Sequence, residues 1–212
     1  MTEIDIDESK IEWSSQLEDI IAQEGEKCRG LSWLHTRGEA LTSKYNTCVQ
    51  VPVIILSTLA GTASVGSQSL FGGSSVSSTA IGLVSIGVGI LNTLGSFFAF
   101  AKRSEAHRIA HLNYSKLSTR ISIELSLPRD ERMDAQPFLI NIRETMERLA
   151  ETTPMCPQSI LDDFNKQFKN VTNIAVPAET NGLHKIEIFR GKTHVDTPSE
   201  DDSKSKISIK VG

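Results

Sequence analysis

Two apolar stretches of similar length dominate the pattern of hydrophobic and polar positions along this chain. The first covers roughly residues 48–67 (CVQVPVIILSTLAGTASVGS) and the second residues 80–101 (AIGLVSIGVGILNTLGSFFAFA). Each contains the about 20 residues that an α-helix needs to cross about 30 Å of hydrocarbon. The residues between them, 68–79, are rich in serine and glycine. This pattern predicts a transmembrane helical hairpin over residues 45–101.

The segments on either side of the hairpin are amphipathic. Before it, apolar residues recur at spacings of three, four and seven, which predicts an N-terminal helix over residues 8–44. Glycine costs about 1 kcal/mol relative to alanine in a helix, so Gly25, Gly30 and Gly38 predict a break near Gly38. After the hairpin, residues 102–127 show the same periodicity, and no breaker separates them from the second span. We therefore expect that span to continue straight into a helix that packs antiparallel against the N-terminal helix.

Two more helices complete a predicted cytoplasmic helical region over residues 102–169. Pro128 ends the preceding helix, and Asp134 is a candidate N-cap for a helix over 135–151. A shorter helix is predicted over 158–168, where Ile160, Phe164 and Phe168 recur every four residues. Beyond it, residues 170–212 form a predicted flexible tail, with short strand-like segments at 184–189 and 206–212.

The predicted hairpin is distinguished most clearly by its lack of charged residues. No Lys, Arg, Asp, Glu or His occurs from Tyr45 to Ala101, a gap of 57 residues in a chain that is 23% charged. A membrane imposes such a gap because a charge at the bilayer centre costs about 2.5–3.5 kcal/mol. The alternative is a soluble fold that buries both apolar helices, for which little chain remains. The sequence therefore predicts an all-α integral membrane protein.

Basic residues lie on both sides of the hairpin and not inside it. Arg29, Arg37 and Lys44 precede the first span, and Lys102, Arg103 and Arg108 follow the second. Because basic residues near membrane ends stay on the cytoplasmic side, both termini are expected in the cytoplasm. Lys102, Arg103 and Arg108 are expected to bind anionic lipid head groups, each worth about 1 kcal/mol.

The sequence carries no recognisable catalytic or cofactor-binding motif. It has neither a Gly-Lys-Ser/Thr phosphate loop nor a Gly-x-Ser-x-Gly elbow, so no catalytic residue or cofactor is expected. His107 and His111 are spaced as metal ligands can be, but no third ligand lies at motif distance, so no metal is expected. The net charge of −4 gives no support to nucleic-acid binding.

Small and polar residues form a line along one face of each span. The members of these faces are Ser57 and Gly61 in the first span, and Ser85, Gly89, Asn92 and Ser96 in the second. One interpretation is close helix packing, since small residues let backbones approach and an asparagine sets register and oligomer state. The other interpretation is a pore whose lumen these residues line in an oligomer.

Several segments resemble the SLATT-type two-transmembrane superfamily over roughly residues 10–170. They are a helix bearing a Trp, Tyr45-Asn46, VPVIILST at 51–58, KRSEAHR at 102–108 and YSKL at 114–117. The chain looks closest to the versions found in large nucleocytoplasmic DNA viruses. For prokaryotic members the resemblance implies oligomeric effectors that perforate membranes. For the viral versions it implies components of virion or infected-cell membranes, with the C-terminal region docking to a capsid protein.

These observations lead to two hypotheses. The first is a non-enzymatic integral membrane protein that acts as an oligomerising anchor and scaffold, in the internal membrane of a virion or another viral membrane. Its partners would be the lipid bilayer, further copies of itself and capsid or other viral proteins. The alternative is a pore-forming homo-oligomer or channel of the SLATT type.

Overall fold

The computed structural model describes residues 11–66, 72 and 74–181 of the chain. Within these residues every regular element is a helix and there is no strand. Its elements are α1 (Ser15–Val65), α2 (Ser75–Phe98), α3 (Phe100–Ser126), a 3-10 helix (Arg129–Glu131), α4 (Ala135–Thr152), α5 (Gln158–Gln167) and α6 (Ala178–Asn181). The predicted all-helical class is confirmed for this part of the chain. The predicted strand-like segments at 184–189 and 206–212 lie outside it.

The first helix is a single element of 51 residues that joins the amphipathic segment to the first apolar span. It begins after Ser14, whose hydroxyl accepts a hydrogen bond from the Leu17 amide at 3.2 Å, as expected for an N-cap. The helix continues through Gly38 and through Pro52. The predicted break near Gly38 is therefore wrong, and the predicted N-terminal helix and the first span belong to one helix.

Close packing explains why the three glycines do not interrupt α1. A Cβ atom added to Gly25 would lie 2.9 Å from the Ile121 side chain, and one added to Gly38 would lie 2.7 Å from the His107 ring. At Gly30 the added atom would lie 2.6 Å from the ring of Pro177. The contacts that these glycines permit offset their low helix propensity, because most helical stability in proteins comes from tertiary packing.

The N-terminal half of α1 packs antiparallel against α3, as predicted. Successive contacts run in opposite directions along the two helices: Gly25 lies against Ile121, and Ser32 contacts His111. With α4 and α5 these helices enclose one core, whose members are Ile21, Cys28, Leu31, Leu34, Ala110, Tyr114, Leu117, Ile121, Phe138, Ile142, Leu149, Ile160 and Phe164. Most of them are the residues whose helical spacing defines the apolar faces in the sequence.

The helices α2 and α3 are separated by one residue, Ala99, in the left-handed conformation, with φ 49° and ψ 41°. Left-handed backbone costs a residue other than glycine about 1–2 kcal/mol. The predicted straight continuation of the second span is thus wrong. Aromatic rings surround the break, since the ring of Phe100 lies 5.4 Å from that of Phe98 and 5.7 Å from that of Tyr45.

The start of the predicted tail is packed onto the helical core. Pro177 is buried against Gly30, and the Ala175 amide donates a hydrogen bond of 2.7 Å to the Glu26 carboxylate. The Asn165 side chain donates to the Thr180 carbonyl at 3.0 Å. Residues 170–181 therefore belong to the folded region, which corrects the predicted boundary of the tail at residue 170.

An ionic cluster fixes the N-terminal end of α1. The Glu18 carboxylate accepts hydrogen bonds from Arg129, at 2.7 and 2.8 Å, and from Arg132, at 2.6 Å. Arg132 also donates to the carbonyls of Leu125 and Leu127. The hydrogen bonds from both guanidinium groups lower the pKa of Glu18 from 4.5 to about 2. The cluster thus ties α1 to the connection between α3 and α4.

We expect Glu18→Gln to lower the unfolding temperature at pH 7 and to have little effect near pH 2. Because the pKa of Glu18 is depressed in the folded state, its contribution is present above pH 4.5 and is lost as the pH falls towards 2. Thermal unfolding of the full chain in detergent at both pH values measures this. The control is Asp19→Asn, an exposed neighbour, which should leave the temperature unchanged. Equal unfolding temperatures for wild type and Glu18→Gln at pH 7 would contradict the prediction.

Candidate functional site

The residues predicted to line a helix interface or a pore all lie on the exposed surface of α1 and α2. An added Cβ atom at Gly61 or Gly89 would meet no atom within 4 Å. The hydroxyls of Ser57 and Ser85 donate to carbonyls of their own helices, at 2.6 and 2.9 Å. Asn92 and Ser96 are exposed as well. These faces are therefore not used to pack the two spans of one chain against each other.

The close contact between the spans is made elsewhere, at Gly95. Its added Cβ atom would lie 3.1 Å from a methyl group of Val49 and 3.6 Å from the Gln50 amide. Gly95 thus lets α2 approach α1 near the ends of the spans that adjoin the helical core. Gly95 has no distinguishing signal in the sequence, because a glycine in an apolar helix gives no sign of which neighbour it touches.

Both apolar segments present their side chains to the surroundings. In the 18-residue apolar window of α1 only 11% of the residues are buried, and in that of the α2–α3 segment none are. Both helices are long and apolar enough to cross a membrane. The alternative of a soluble fold that encloses these helices requires burial that the described residues do not have.

Aromatic and basic residues follow one another at the ends of the spans nearest the helical core. The aromatic rings of Tyr45, Phe98 and Phe100 come first, and the exposed side chains of Lys102 and Arg103 follow. This is the order found at a membrane–water interface. Arg108, the third predicted head-group residue, instead donates two hydrogen bonds to Glu105, at 2.6 and 2.8 Å, so its charge is partly neutralised.

A buried polar cluster lies in the helical core, beyond the basic residues that follow the second span. It consists of His35 on α1, His107 on α3 and Cys156 in the connection between α4 and α5, and we call it the histidine cluster. The two histidines are each 2% exposed. Their Nδ1 atoms are 2.8 Å apart, and Cys156 Sγ lies 3.7 Å from His35 Nδ1. One ligand atom from each residue lies within 4.8 Å of the other two.

Two further side chains border the histidine cluster. The ring of Tyr114 stacks parallel to that of His35, with centroids 5.7 Å apart and an angle of 5° between the planes. The Thr153 hydroxyl lies near the phenol of Tyr114, but it is buried without a hydrogen bond of good geometry. An unsatisfied hydroxyl of this kind costs about 1–3 kcal/mol and is unusual in a folded core.

Burial keeps the histidine cluster uncharged. Desolvation lowers the pKa of His35 to about 4, helped by the neighbouring His107 and His111. Desolvation also lowers the pKa of His107, and Arg103 adds to this shift. The pKa of the Cys156 thiol is raised to about 11 by burial and by Glu179. At neutral pH the site therefore holds two neutral imidazoles, joined by one N–H···N hydrogen bond, and a thiol.

The structure separates the two histidines whose spacing drew attention in the sequence. His111 Nδ1 lies 2.9 Å from the Ser32 hydroxyl and 2.8 Å from that of Thr36, outside the histidine cluster. His107 is paired with His35 instead. One sequence signal pointed to this: His35 follows Leu34 on the buried side of α1, where antiparallel packing brings it near residue 107. Cys156 lies in a turn between Pro154 and Pro157, and no periodic pattern reveals its neighbours.

Gly38 sets the space available to the histidine cluster, and we expect Gly38→Ala to destabilise the protein. The added Cβ atom would lie 2.7 Å from His107 Nδ1, and overpacking of this kind typically costs about 1–3 kcal/mol. The free energy of unfolding in detergent micelles measures the effect. Gly87→Ala is the matched control, because its Cβ atom meets nothing within 4 Å. A Gly38→Ala variant as stable as wild type would show that His107 moves aside freely.

Comparison with known proteins yields no relative from which a function could be transferred. Family models, curated proteins and solved structures give no match to this chain. Functional inference therefore depends on the exposed apolar helices, the boundary residues and the histidine cluster.

Proposed function

We propose that this chain is a non-enzymatic integral membrane protein that anchors and self-associates through α1 and α2, and that its cytoplasmic helices serve as a scaffold. The exposure of two apolar segments of spanning length, which lie in α1 and α2 within the charge-free interval 45–101, carries the proposal. Leu59, Leu83 and Ile86 are each more than 60% exposed. Apolar surface gains about 25 cal/mol per Å² when it leaves water, and for these helices lipid is the environment that provides the gain.

The boundary residues support an orientation with both termini in the cytoplasm. Lys44, Lys102 and Arg103 are exposed at the ends of the spans from which the helical core extends. An excess of Lys and Arg in short segments next to a span keeps those segments on the cytoplasmic side. In this orientation only the connection between α1 and α2 reaches the opposite side.

The exposed faces of small residues on α1 and α2 support self-association. At Gly61 and Gly89 the surface is open to a close approach by another helix, which is how helices associate in lipid. The hydroxyls of Ser57 and Ser85 are already satisfied within their own helices. The Asn92 amide makes no side-chain hydrogen bond among the described residues, so a second copy is its expected partner. Such interhelical bonds are worth about 0.6–2 kcal/mol.

The same exposed face supports the second candidate function, a pore. Ser85, Asn92 and Ser96 place polar atoms along one side of α2 while large apolar residues occupy the other sides. In an oligomer this side would contact water if it faced a lumen, and protein if it formed the helix contact. Neither span contains an ionisable residue, which disfavours a charge-selective filter.

Reconstitution separates the two functions. Full-length protein in liposomes is assayed for ion flux and for oligomers trapped by crosslinking, as wild type, Asn92→Leu and Thr93→Val. Thr93 is the matched control, since its hydroxyl bonds the Gly89 carbonyl of its own helix. The proposal predicts oligomers without flux, weakened in Asn92→Leu only. Flux in wild type that is lost in Asn92→Leu would establish the pore instead. Release of the protein from membranes by alkaline carbonate would refute both.

The resemblance to the SLATT-type superfamily supports a viral membrane as the setting and a capsid protein as the partner. Residues 170–181 pack on the core, so this proposal assigns the partner contact to residues 182–212. Deleting residues 182–212 should then abolish binding to the capsid protein and leave membrane integration intact. Retained binding after the deletion would refute this assignment.

A further inference from the structure

We propose that His35, His107 and Cys156 form a binding site for one divalent transition-metal ion of the zinc type. This inference is independent of the membrane function proposed above. Two imidazole nitrogens and one thiolate sulfur are a donor set that zinc uses in proteins. The site would connect α1, α3 and the α4–α5 connection through one ion.

The positions of the donor atoms suit a tetrahedral ion after a small adjustment. With Zn–N bonds of about 2.0–2.1 Å and a Zn–S bond of about 2.3 Å, the donor atoms lie about 3.3–3.6 Å from one another. In the structure the two Nδ1 atoms are 2.8 Å apart and Cys156 Sγ lies 3.7 Å from His35 Nδ1, and one ligand atom from each of the three residues lies within 4.8 Å of the other two. Binding one ion requires the two Nδ1 atoms to move about 0.5 Å further apart.

The convergence of these donors is hard to explain by packing alone. Both histidines are 2% exposed, and their nitrogens share a single hydrogen bond. The thiol adds only a long contact of 3.7 Å. Polar groups brought this deep into a core normally complete their hydrogen bonds. Three elements distant in sequence instead aim their donor atoms at one small volume.

The second observation is the buried Thr153 hydroxyl. It makes no hydrogen bond of good geometry, it lies three residues before Cys156, and it is near the phenol of Tyr114, which stacks on His35. A site with three protein ligands keeps a fourth position for water. We assign that position to a water molecule for which the Thr153 hydroxyl is an unused partner, because outer hydrogen bonds orient metal ligands and tune the ion.

Metal binding at this site requires no change of oxidation state. The Cys156 S–H bond breaks, its proton goes to solvent, and the sulfur electron pair forms the bond to the ion. Both histidines bind through Nδ1 lone pairs, so the imidazole that holds its proton on Nδ1 transfers it to Nε2. One proton is therefore released for each ion bound, as metal–thiolate formation requires.

Cobalt(II) titration of the full-length protein in detergent tests the proposal, because cobalt reports its ligands by absorption. We expect one ion per chain, a thiolate-to-cobalt charge-transfer band and the strong visible bands of tetrahedral cobalt. Zinc should displace cobalt in equal amount and remove these bands. Absence of the charge-transfer band in wild type at saturating cobalt would overturn the proposal, and this measurement does not depend on any variant folding.

Matched variants then assign the ligands. Cys156→Ser should abolish the charge-transfer band, and His107→Gln should weaken cobalt binding at least tenfold. Two controls should bind as wild type: Cys48→Ser, at an exposed cysteine of α1, and His111→Gln, one turn from His107. A band that persists in Cys156→Ser, or an equal loss in His111→Gln, would refute the assignment.

Discussion

Ile86→Arg is expected to impair membrane insertion of α2 by about 3–4 kcal/mol. Ile86 lies at the middle of α2 and is 62% exposed. On the insertion scale isoleucine at a helix centre contributes about −0.3 to −0.6 kcal/mol, and arginine about +2.5 to +3.5 kcal/mol. Neither span has an acidic residue to pair with the new charge. A change of this size shifts the insertion equilibrium by more than a hundredfold.

Ile123→Arg is the matched control for this prediction. Ile123 lies on α3, is 60% exposed, and falls outside the charge-free interval. Exposed substitutions away from special features usually change stability by less than about 0.5 kcal/mol. Both variants are translated in the presence of microsomes, and the fraction that resists alkaline carbonate is measured. Only Ile86→Arg should lose resistance, and equal resistance of both variants would contradict a membrane location for α2.

Phe138→Ala should destabilise the helical core by about 3–5 kcal/mol, the usual cost of removing a buried aromatic ring. Phe138 is 0% exposed. Its ring lies 5.8 Å from that of Trp13, and the Arg120 guanidinium lies 5.8 Å from the ring centroid. Truncation of Phe138 therefore leaves a cavity between α4, Trp13 and α3. This cavity cannot close unless Trp13 or α3 moves.

Denaturation in detergent micelles, followed by tryptophan fluorescence, measures this loss, because Trp13 reports directly on the neighbouring ring. The control is Ile140→Ala on the same helix, where the side chain is 48% exposed. Ile140→Ala should lower the free energy of unfolding much less than Phe138→Ala, because truncating a half-exposed side chain removes less buried apolar surface and leaves no closed cavity. Similar losses in both variants would show that α4 is not anchored through Phe138.

The sequence predicted well those features that depend on local periodicity. The apolar faces that contain Leu34 and Leu117 were found, and so was their antiparallel packing. The helix over 135–151 ends one residue later in the structure, and the helix over 158–168 ends one residue earlier. Helical spacing carries this information because each side chain's face is fixed by its own position in the chain.

The failures concern features that depend on distant contacts. The low helix propensity of glycine predicts that α1 is interrupted at Gly38. The helix is continuous there, and glycine is required because the ring of His107, 69 positions later in the chain, leaves no room for a Cβ atom. The left-handed residue at Ala99 has no sequence signature, since alanine normally favours a helix. The docking of Pro177 and the approach of Cys156 to His35 depend on turns that place short, aperiodic segments. Tertiary structure determines these positions, and local patterns do not report it.

The two apolar spans are joined to the helical core in different ways, and this has a mechanical consequence. Within the described residues α1 continues without interruption from the histidine cluster to Val65. The second span, α2, is instead separated from α3 by the left-handed residue Ala99. At 1.5 Å per residue, the distance from Gly38 to Val65 is about 40 Å. A tilt of about 5° in the helical core would displace the far end of α1 by about 3–4 Å at that length. The uninterrupted helix α1 is therefore a direct mechanical connection between the histidine cluster and the first apolar span.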